Sequence, residues 1–125
     1  MVDIPTYSYD QEADVLYISF APGEQPTAAV ELNDNILLRF NLPEKYAVGL
    51  TLMDFSVLVQ MTHMGPRNFP LSGLQDLEPA WQETVIEIIT QPPVNQILHV
   101  SLYTPSMAEA IPITSVVKPL IPAVA

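Results

Sequence analysis

The sequence contains no cysteine among its 125 residues. This absence excludes disulfide bonds, thiolate nucleophiles and the zinc or iron–sulfur sites that depend on cysteine ligands. Long hydrophobic runs are also missing. No stretch of about 18 apolar residues predicts a transmembrane helix, and the chain does not open with the charged and apolar regions of a secretory signal. We therefore expect a cytoplasmic protein that is stabilised by its hydrophobic core.

Lysine and arginine are scarce, with four against 14 aspartates and glutamates, and the formal net charge is −10. The four basic residues lie singly along the chain, at Arg39, Lys45, Arg67 and Lys118. Because phosphate backbones and anionic membranes are bound by clustered basic side chains, we expect neither nucleic acid nor a membrane as a partner. The excess of acid favours solubility; an acidic face for a basic partner is the alternative.

The chain has four glycines and two histidines, none of them clustered. A phosphate-binding loop needs grouped glycines, and two distant histidines predict no acid–base pair. His63 lies between Met61 and Met64, a spacing that could hold a soft metal ion. One imidazole with two thioethers on a loop is more typical of packed or solvated side chains. We expect no enzyme, no catalytic residue, no metal and no cofactor.

Thirteen prolines make long helices improbable, because proline removes an amide donor and clashes with the preceding turn. Residues 80–91 contain no proline and show helical periodicity, and they predict an amphipathic helix over residues 76–91. Asp76 or Glu78 can cap it, and Pro79 suits its first turn. Its apolar stripe needs a sheet face to cover it and consists of Leu77, Trp81, Val85, Ile88 and Ile89.

Alternating side chains predict strands through most of the remaining sequence. Over residues 5–60 they indicate an antiparallel meander, in which Gly49 marks a bulge or a close backbone approach. Residues 96–118 predict two further strands, and Pro112 places the last one at an edge. We expect a single α+β domain over residues 1–125. Its antiparallel β-meander sheet has six or seven strands, with one main amphipathic helix packed on a face.

The opening hairpin resembles a known family pattern, namely a tyrosine and an aspartate, a short acidic turn, then an aspartate and a Leu-Tyr-Ile strand. In this chain the pattern is Tyr9-Asp10-Gln11-Glu12-Ala13-Asp14-Val15-Leu16-Tyr17-Ile18. It is similar to the hallmark of the bacterial family called domain of unknown function 2283. The resemblance covers about residues 5–60 and includes a glutamate-bearing segment at Val30-Glu31. It implies a small meander with a helix, and it implies no reaction.

The sequence departs from that family pattern in its closing strand, where Thr51 stands in place of an expected glutamate. The turn at residues 41–45 likewise replaces an acidic, glycine-containing turn. Residues 61–125 have no counterpart in the short family members. The resemblance therefore predicts the fold of the first half and leaves the second half to the pattern of its own residues.

Three functions are compatible with these features. The first is a non-enzymatic interaction module that binds a protein partner or forms a homodimer through exposed strand edges and the apolar tail at residues 119–125. The second is a small-molecule-binding protein with an apolar pocket between helix and sheet, lined by Trp81 and the tyrosines. The third and most remote is a hydrolase that uses carboxylates such as Asp54 and Glu31.

The candidate ligand or interface residues are aromatic side chains and one histidine. They are Tyr7, Tyr9, Tyr17, Trp81, His99 and Tyr103. The alternating acids Asp10, Glu12 and Asp14 resemble part of a calcium loop, but an EF-hand would need glycine at Val15 and a bidentate glutamate at Ala21. We therefore interpret these three acids as residues of a hairpin turn.

Overall fold

The structure, a computed structural model, describes residues 5–119. The strands and helices of these residues follow one another along the chain as β1 (Thr6–Asp10), β2 (Val15–Ser19), β3 (Ala28–Asn33), β4 (Ile36–Asn41), β5 (Tyr46–Met53), α1 (Phe55–Leu58), β6 (Met61–Thr62), β7 (Gly65–Pro66), β8 (Phe69–Pro70), α2 (Pro79–Ile89), β9 (Leu98–Ser106) and β10 (Glu109–Val116). Short 3-10 helices precede and follow α2, at Ser72–Asp76 and Val94–Gln96. The α+β class with antiparallel strands and one main helix is therefore confirmed.

The largest sheet contains five antiparallel strands in the order β1-β2-β5-β4-β3. In one row across it, Leu16 lies opposite Leu52, and Leu52 lies opposite Ile36. All three side chains are fully buried. Because side chains alternate between the faces of a sheet, this row marks the inner face that lies against the core.

The prediction of six or seven strands in one sheet is wrong. The 3-10 helix Ser72–Asp76 packs beside β3, and Gly73 lies so close that a Cβ there would overlap the carbonyl oxygen of Glu31. This contact covers the edge of β3, so the later strands cannot extend the sheet beyond it. They form a separate three-stranded sheet in the order β8-β10-β9.

The main helix α2 begins at Pro79, with Glu78 at the N-cap position, and ends at Ile89. It is shorter than the predicted range 76–91, because Asp76 belongs to the preceding 3-10 helix and Leu77 is extended. Its buried side chains belong to the predicted stripe and are Val85, Ile88 and Ile89. The predicted amphipathic helix is thus present, with its apolar stripe facing the core.

One hydrophobic cluster joins both halves of the chain. It contains the inner side chains of the five-stranded sheet together with Val85 of α2, Leu98 of β9 and Val116 of β10. Phe40 is fully buried within it, and its ring meets Trp81 edge to face with the centroids 5.9 Å apart. Burial of each such side chain contributes roughly 1.5–3 kcal/mol, so the second half stabilises the first.

The strands predicted at residues 96–118 are present, but Pro112 does not mark an edge strand. β10 is the middle strand of its sheet, paired with β8 on one side and β9 on the other. The carbonyl oxygen of Pro112 accepts a hydrogen bond from the Leu71 amide. Since the nitrogen and carbonyl of a strand residue face the same edge, the missing donor of Pro112 points away from β9 and interrupts no hydrogen bond of that pair.

Candidate interaction surfaces

The face of the five-stranded sheet that points away from the core is called the outer face here. Its middle row runs across the sheet because Tyr17 lies opposite Thr51, Thr51 opposite Leu37, and Leu37 opposite Glu31. The buried side chains of the described helices join the core on the inner side. Tyr17 is 43% exposed in the middle of this surface. Within residues 5–119 the outer face therefore carries no second layer.

Arg39 lies flat on the outer face across Gly49, its partner residue on β5. A Cβ at Gly49 would lie 2.9 Å from the Nη2 atom of Arg39 and 2.9 Å from the Ile18 carbonyl oxygen. The sheet also shifts register between Arg39 and Phe40. The predicted bulge and close approach at Gly49 are both confirmed, and the missing side chain makes room for the guanidinium.

The guanidinium of Arg39 is incompletely paired. Its Nε atom is buried and has no hydrogen-bond partner among the residues that the structure describes. A buried polar group without a partner costs free energy, and more so when it is charged. Arg39 is thus a positive charge held flat against the outer face, and its Nε atom is turned away from solvent.

The hairpin of β9 and β10 extends beyond the body of the protein, and its outer part, residues 101–110, is called the arm here. Every residue of the arm is exposed. Leu102 is 64% exposed, Tyr103 is 55% exposed and Met107 is fully exposed. Glu109 is the one charged residue of the arm. The arm is therefore an apolar, nearly neutral ribbon on a strongly acidic protein.

The acidic turn of the opening hairpin is held together by the carboxylate of Asp14. The Tyr9 hydroxyl donates to its Oδ1 atom at 2.7 Å, and the Ser56 amide donates to the same oxygen at 3.0 Å. The Ser56 hydroxyl donates to Oδ2 at 2.6 Å. Asp14 thus satisfies an amide at the start of α1 that has no acceptor within the helix. Asp10 accepts from the Ala13 amide at 3.1 Å and shapes the same turn.

These hydrogen bonds shift two pKa values in opposite directions. Donation from the Ser56 hydroxyl, followed by donation from Tyr9, lowers the pKa of Asp14. The hydrogen bond to Asp14 raises the pKa of the Tyr9 phenol, because ionisation would remove the donated proton. Tyr46 has a raised pKa for the same reason, since its hydroxyl donates to the carboxylate of Glu24.

Replacement of Asp14 by asparagine is expected to destabilise the fold at neutral pH, because an amide offers one acceptor oxygen where the carboxylate offers two. The folded-state pKa of Asp14 is lowered from 3.8. Its contribution is therefore complete above about pH 3.8 and is lost as the pH falls through the folded-state pKa. Asparagine tolerates the positive φ of Asp14, so backbone strain does not add to the loss.

Urea denaturation of the wild type and the Asp14→Asn variant at several pH values tests this effect. Glu12→Gln is the matched control, because it removes the same charge from an exposed position of the same turn. The denaturation midpoints of wild type and Asp14→Asn should differ at pH 7 and converge in acid. A difference that persists unchanged below the folded-state pKa would contradict the role of the ionised carboxylate.

A cleft of about 430 Å³ lies along the edge of β3, between that strand and the start of α2. Its lining includes Ala29, Glu31, Asp34, Asp76, Leu77 and Trp81. The walls therefore combine three acidic side chains with apolar ones, among them one indole. A smaller hollow of about 280 Å³ lies between the end of α2 and β9, where His99 lines it beside Thr90 and Asn95.

The structure does not bring the predicted site residues together. Tyr7 and Tyr9 lie on the inner face at the edge strand β1, where Tyr7 packs against the core and Tyr9 against Phe55. The other four lie apart from this pair, at the outer face, the acidic cleft, the smaller hollow and the arm; in that order they are Tyr17, Trp81, His99 and Tyr103. No tyrosine lines the cleft of Trp81.

Sequence analysis missed Arg39, Leu102 and Met107 as surface features. The signal for Arg39 was its pairing with a glycine on the next strand, which becomes visible only when the register is known. The signal for the other two was a long hairpin with a single charge. Asp54, proposed for hydrolysis, accepts a hydrogen bond from the Asn35 side chain at 2.9 Å at the start of α1. Glu31 lies on the outer row of edge strand β3.

Comparison with protein families identifies the first part of the chain. Residues 6–56 match the family model DUF2283, described as a protein of unknown function. Over this segment the chain is similar to the DUF2283 family. The resemblance predicted from the opening hairpin is confirmed, and the Tyr9, Asp10 and Asp14 side chains of that DUF2283 hallmark form the turn described above. No curated protein and no solved structure matches the chain.

Two further features bear on what the described residues can bind. Among residues 5–119, no helix combines the length and apolar character needed to cross a membrane. Over the same range, no group of three or more His, Asp or Glu side chains is placed to hold a metal ion. The part of the predicted apolar tail from residue 120 onward lies outside the described residues.

Proposed function

We propose that the protein is a non-enzymatic interaction module whose main contact element is the arm. The observation that carries this proposal is the exposure of every arm residue, including the large apolar side chains Leu102, Tyr103 and Met107. Leu102 and Tyr103 are consecutive strand residues and point to opposite faces of the ribbon, so each face presents a large apolar side chain, and exposed apolar surface concentrated on one element is typical of sites that bind another protein. The natural partner of such a ribbon is an apolar groove on another polypeptide.

The energetics favour this use of the arm. A two-stranded ribbon that has no third strand and no covering layer is marginal in water. Burial of Leu102 and Tyr103 in a partner would contribute roughly 1.5–3 kcal/mol for each side chain. With one charged residue in the arm, little of this gain is lost to desolvation of charge. Association would therefore stabilise the arm as well as the complex.

The acidic turn of the DUF2283 segment supports a structural rather than a chemical role for its side chains. Asp14 is occupied by Tyr9 and Ser56, and Asp54 by Asn35. Asp14 accepts several hydrogen bonds and Asp54 accepts one, and both carboxylates thereby hold the hairpin and the start of α1 in place. This arrangement favours a scaffold that presents surfaces over a site that transfers protons.

Small-molecule binding is the second candidate, and the cleft at Trp81 favours it. Its volume of about 430 Å³ lies within the range of roughly 300–1,000 Å³ that is typical of ligand pockets. An indole beside Glu31, Asp34 and Asp76 suits a small organic cation, which ring faces and carboxylates both attract. The cleft ranks second because it is open to solvent and its walls mix acidic with apolar side chains.

Native mass spectrometry of the protein purified from the cells that make it tests both candidates. We expect a second polypeptide on the wild type that is lost in the Leu102→Ser/Tyr103→Ser variant. Met64→Ser is the control, because Met64 is 95% exposed on a different hairpin. A small adduct that survives in the arm variant and is lost on Asp76→Asn would favour the cleft. A chain without any partner polypeptide or adduct would contradict both candidates.

A further inference from the structure

The outer face carries the exposed Tyr17 and the half-buried Leu37 close to the opposite charges of Arg39 and Glu31. Tyr17 and Leu37 lie in its middle row, which ends at Glu31. Arg39 lies on the neighbouring row, and no residue between 5 and 119 accepts a hydrogen bond from its Nε atom. We propose that this face binds a second copy of the chain, with Arg39 of each copy paired with Glu31 of the other. This goes beyond the proposed function, which rests on the arm.

The state of Arg39 is the reason to expect a carboxylate opposite it. Gly49 lets the guanidinium lie against the sheet, because a Cβ there would lie 2.9 Å from its Nη2 atom. A guanidinium offers five donors in a planar fork that matches a carboxylate in two-pronged geometry. The buried Nε is out of reach of a second copy, but a carboxylate delivered from above the sheet can bind the terminal nitrogens Nη1 and Nη2 of the guanidinium.

The position of Glu31 makes the same face self-complementary. Glu31 and Arg39 lie on adjacent strands, since Arg39 is opposite Ala29, two residues before Glu31. A two-fold axis that runs parallel to the sheet, midway between these two residues and perpendicular to the line joining them, places Arg39 of each copy opposite Glu31 of the other. Dimers with such an axis bury the same patch twice, so both ion pairs form together.

A second copy fits this face better than an unrelated anionic partner. A small anion would satisfy Arg39 but would leave Tyr17 and Leu37 exposed, whereas a second outer face covers both. The like charge of two copies at −10 each opposes association. At physiological salt this repulsion is screened beyond about 8 Å, while the contact pairs at the face are closer than that.

The size of the outer face predicts a weak dimer. Five strands spaced at about 4.8 Å, each contributing five or so residues at about 3.3 Å, give a surface of roughly 24 Å by 17 Å. A standard stable interface buries about 800 Å² on each partner, about twice the flat area of this face. We therefore expect dissociation in the micromolar range and a monomer at high dilution.

Sedimentation equilibrium of the full chain between about 1 and 500 µM, a range that brackets micromolar affinity, tests the proposal. Arg39→Glu and Glu31→Arg should each weaken the dimer roughly 30-fold or more, as expected when a like-charge pair replaces a buried ion pair. The double variant should dimerise again, because the charges are exchanged on both copies. An equimolar mixture of the two single variants should form a heterodimer for the same reason.

Lys118→Glu is the control, since it makes the same charge change as Arg39→Glu at an exposed residue away from the outer face. Circular dichroism of each variant separates loss of association from loss of folding. A wild type that stays monomeric at 500 µM would overturn the proposal. Single variants that dimerise normally, or a double variant that folds and stays monomeric, would overturn it equally, and none of these results would affect the test of the arm.

Discussion

Replacing Phe40 by alanine is expected to lower the free energy of unfolding by about 3–5 kcal/mol, the usual cost of removing a buried aromatic ring. Phe40 is a fully buried residue of β4, and its ring contacts Trp81 of α2. The substitution removes the ring from the core and also removes the edge-to-face contact. Because Phe40 belongs to the DUF2283 segment and Trp81 does not, the loss should weaken both halves of the chain together.

Urea denaturation followed by Trp81 fluorescence and by far-ultraviolet circular dichroism measures this loss. Both probes should move to a lower midpoint together, since they report one cooperative core. Leu102→Ala is the control, because its side chain is 64% exposed and its truncation should change stability by less than about 0.5 kcal/mol. A Trp81 transition that stays at its wild-type midpoint would contradict a shared core.

Replacing Gly73 by alanine is expected to cost about 3 kcal/mol, the upper end of the usual cost of overpacking. The added Cβ would overlap the Glu31 carbonyl oxygen and lie 3.0 Å from its carbonyl carbon. Both are backbone atoms of β3, so neither can rotate away as a flexible side chain could. The 3-10 helix at Ser72–Asp76 would have to move off the edge of β3.

Gly65→Ala separates this steric cost from the ordinary cost of losing a glycine. Gly65 has φ 103° and open space around its Cβ position, so its replacement should cost about 1–2 kcal/mol from backbone strain alone. Denaturant midpoints of the two variants should therefore differ, with Gly73→Ala the less stable. Equal midpoints would mean that the 3-10 helix is not held against β3.

The local patterns of the sequence predicted the individual elements well. Alternation identified the strands of the meander, and the stripe with Pro79 identified α2. Gly49 was predicted to mark a bulge or a close approach, because a glycine weakens the interior of a strand and usually stands there for one of these two reasons. The hallmark hairpin predicted the family, and Asp14 shows why those residue types stand there: its carboxylate binds the turn and the start of α1.

The division of the strands between sheets could not be predicted in this way. Alternation shows that a segment is extended, but it does not show which edge the segment pairs with. The covering of β3 depends on Gly73, whose contact with Glu31 joins residues far apart in sequence. The prediction of an edge strand at Pro112 was wrong for the same reason, because it required knowledge of the strand pairing. A proline is tolerated wherever its missing amide donor interrupts no hydrogen bond of the sheet, including in the middle strand of a small sheet.

The candidate surfaces were also beyond the local pattern. Six aromatic and histidine side chains were predicted as a possible site, and the structure distributes them over both faces, a cleft, a hollow and the arm. The charge that stands out, Arg39, depends on its register with Gly49. The side chains that this chain leaves exposed on its surfaces depend on which strands pair and in which register. Composition does not specify that pairing.

The most direct test of self-association through the outer face is the concentration dependence of the backbone amide chemical shifts of the full chain. Between high dilution and about 500 µM, above a micromolar dissociation constant, the amides of Tyr17, Leu37 and Thr51 should shift together along one binding curve. Exposed positions of α2 such as Glu87 should not shift. Shifts confined to the arm, or none at any concentration, would contradict an outer face that binds a second copy.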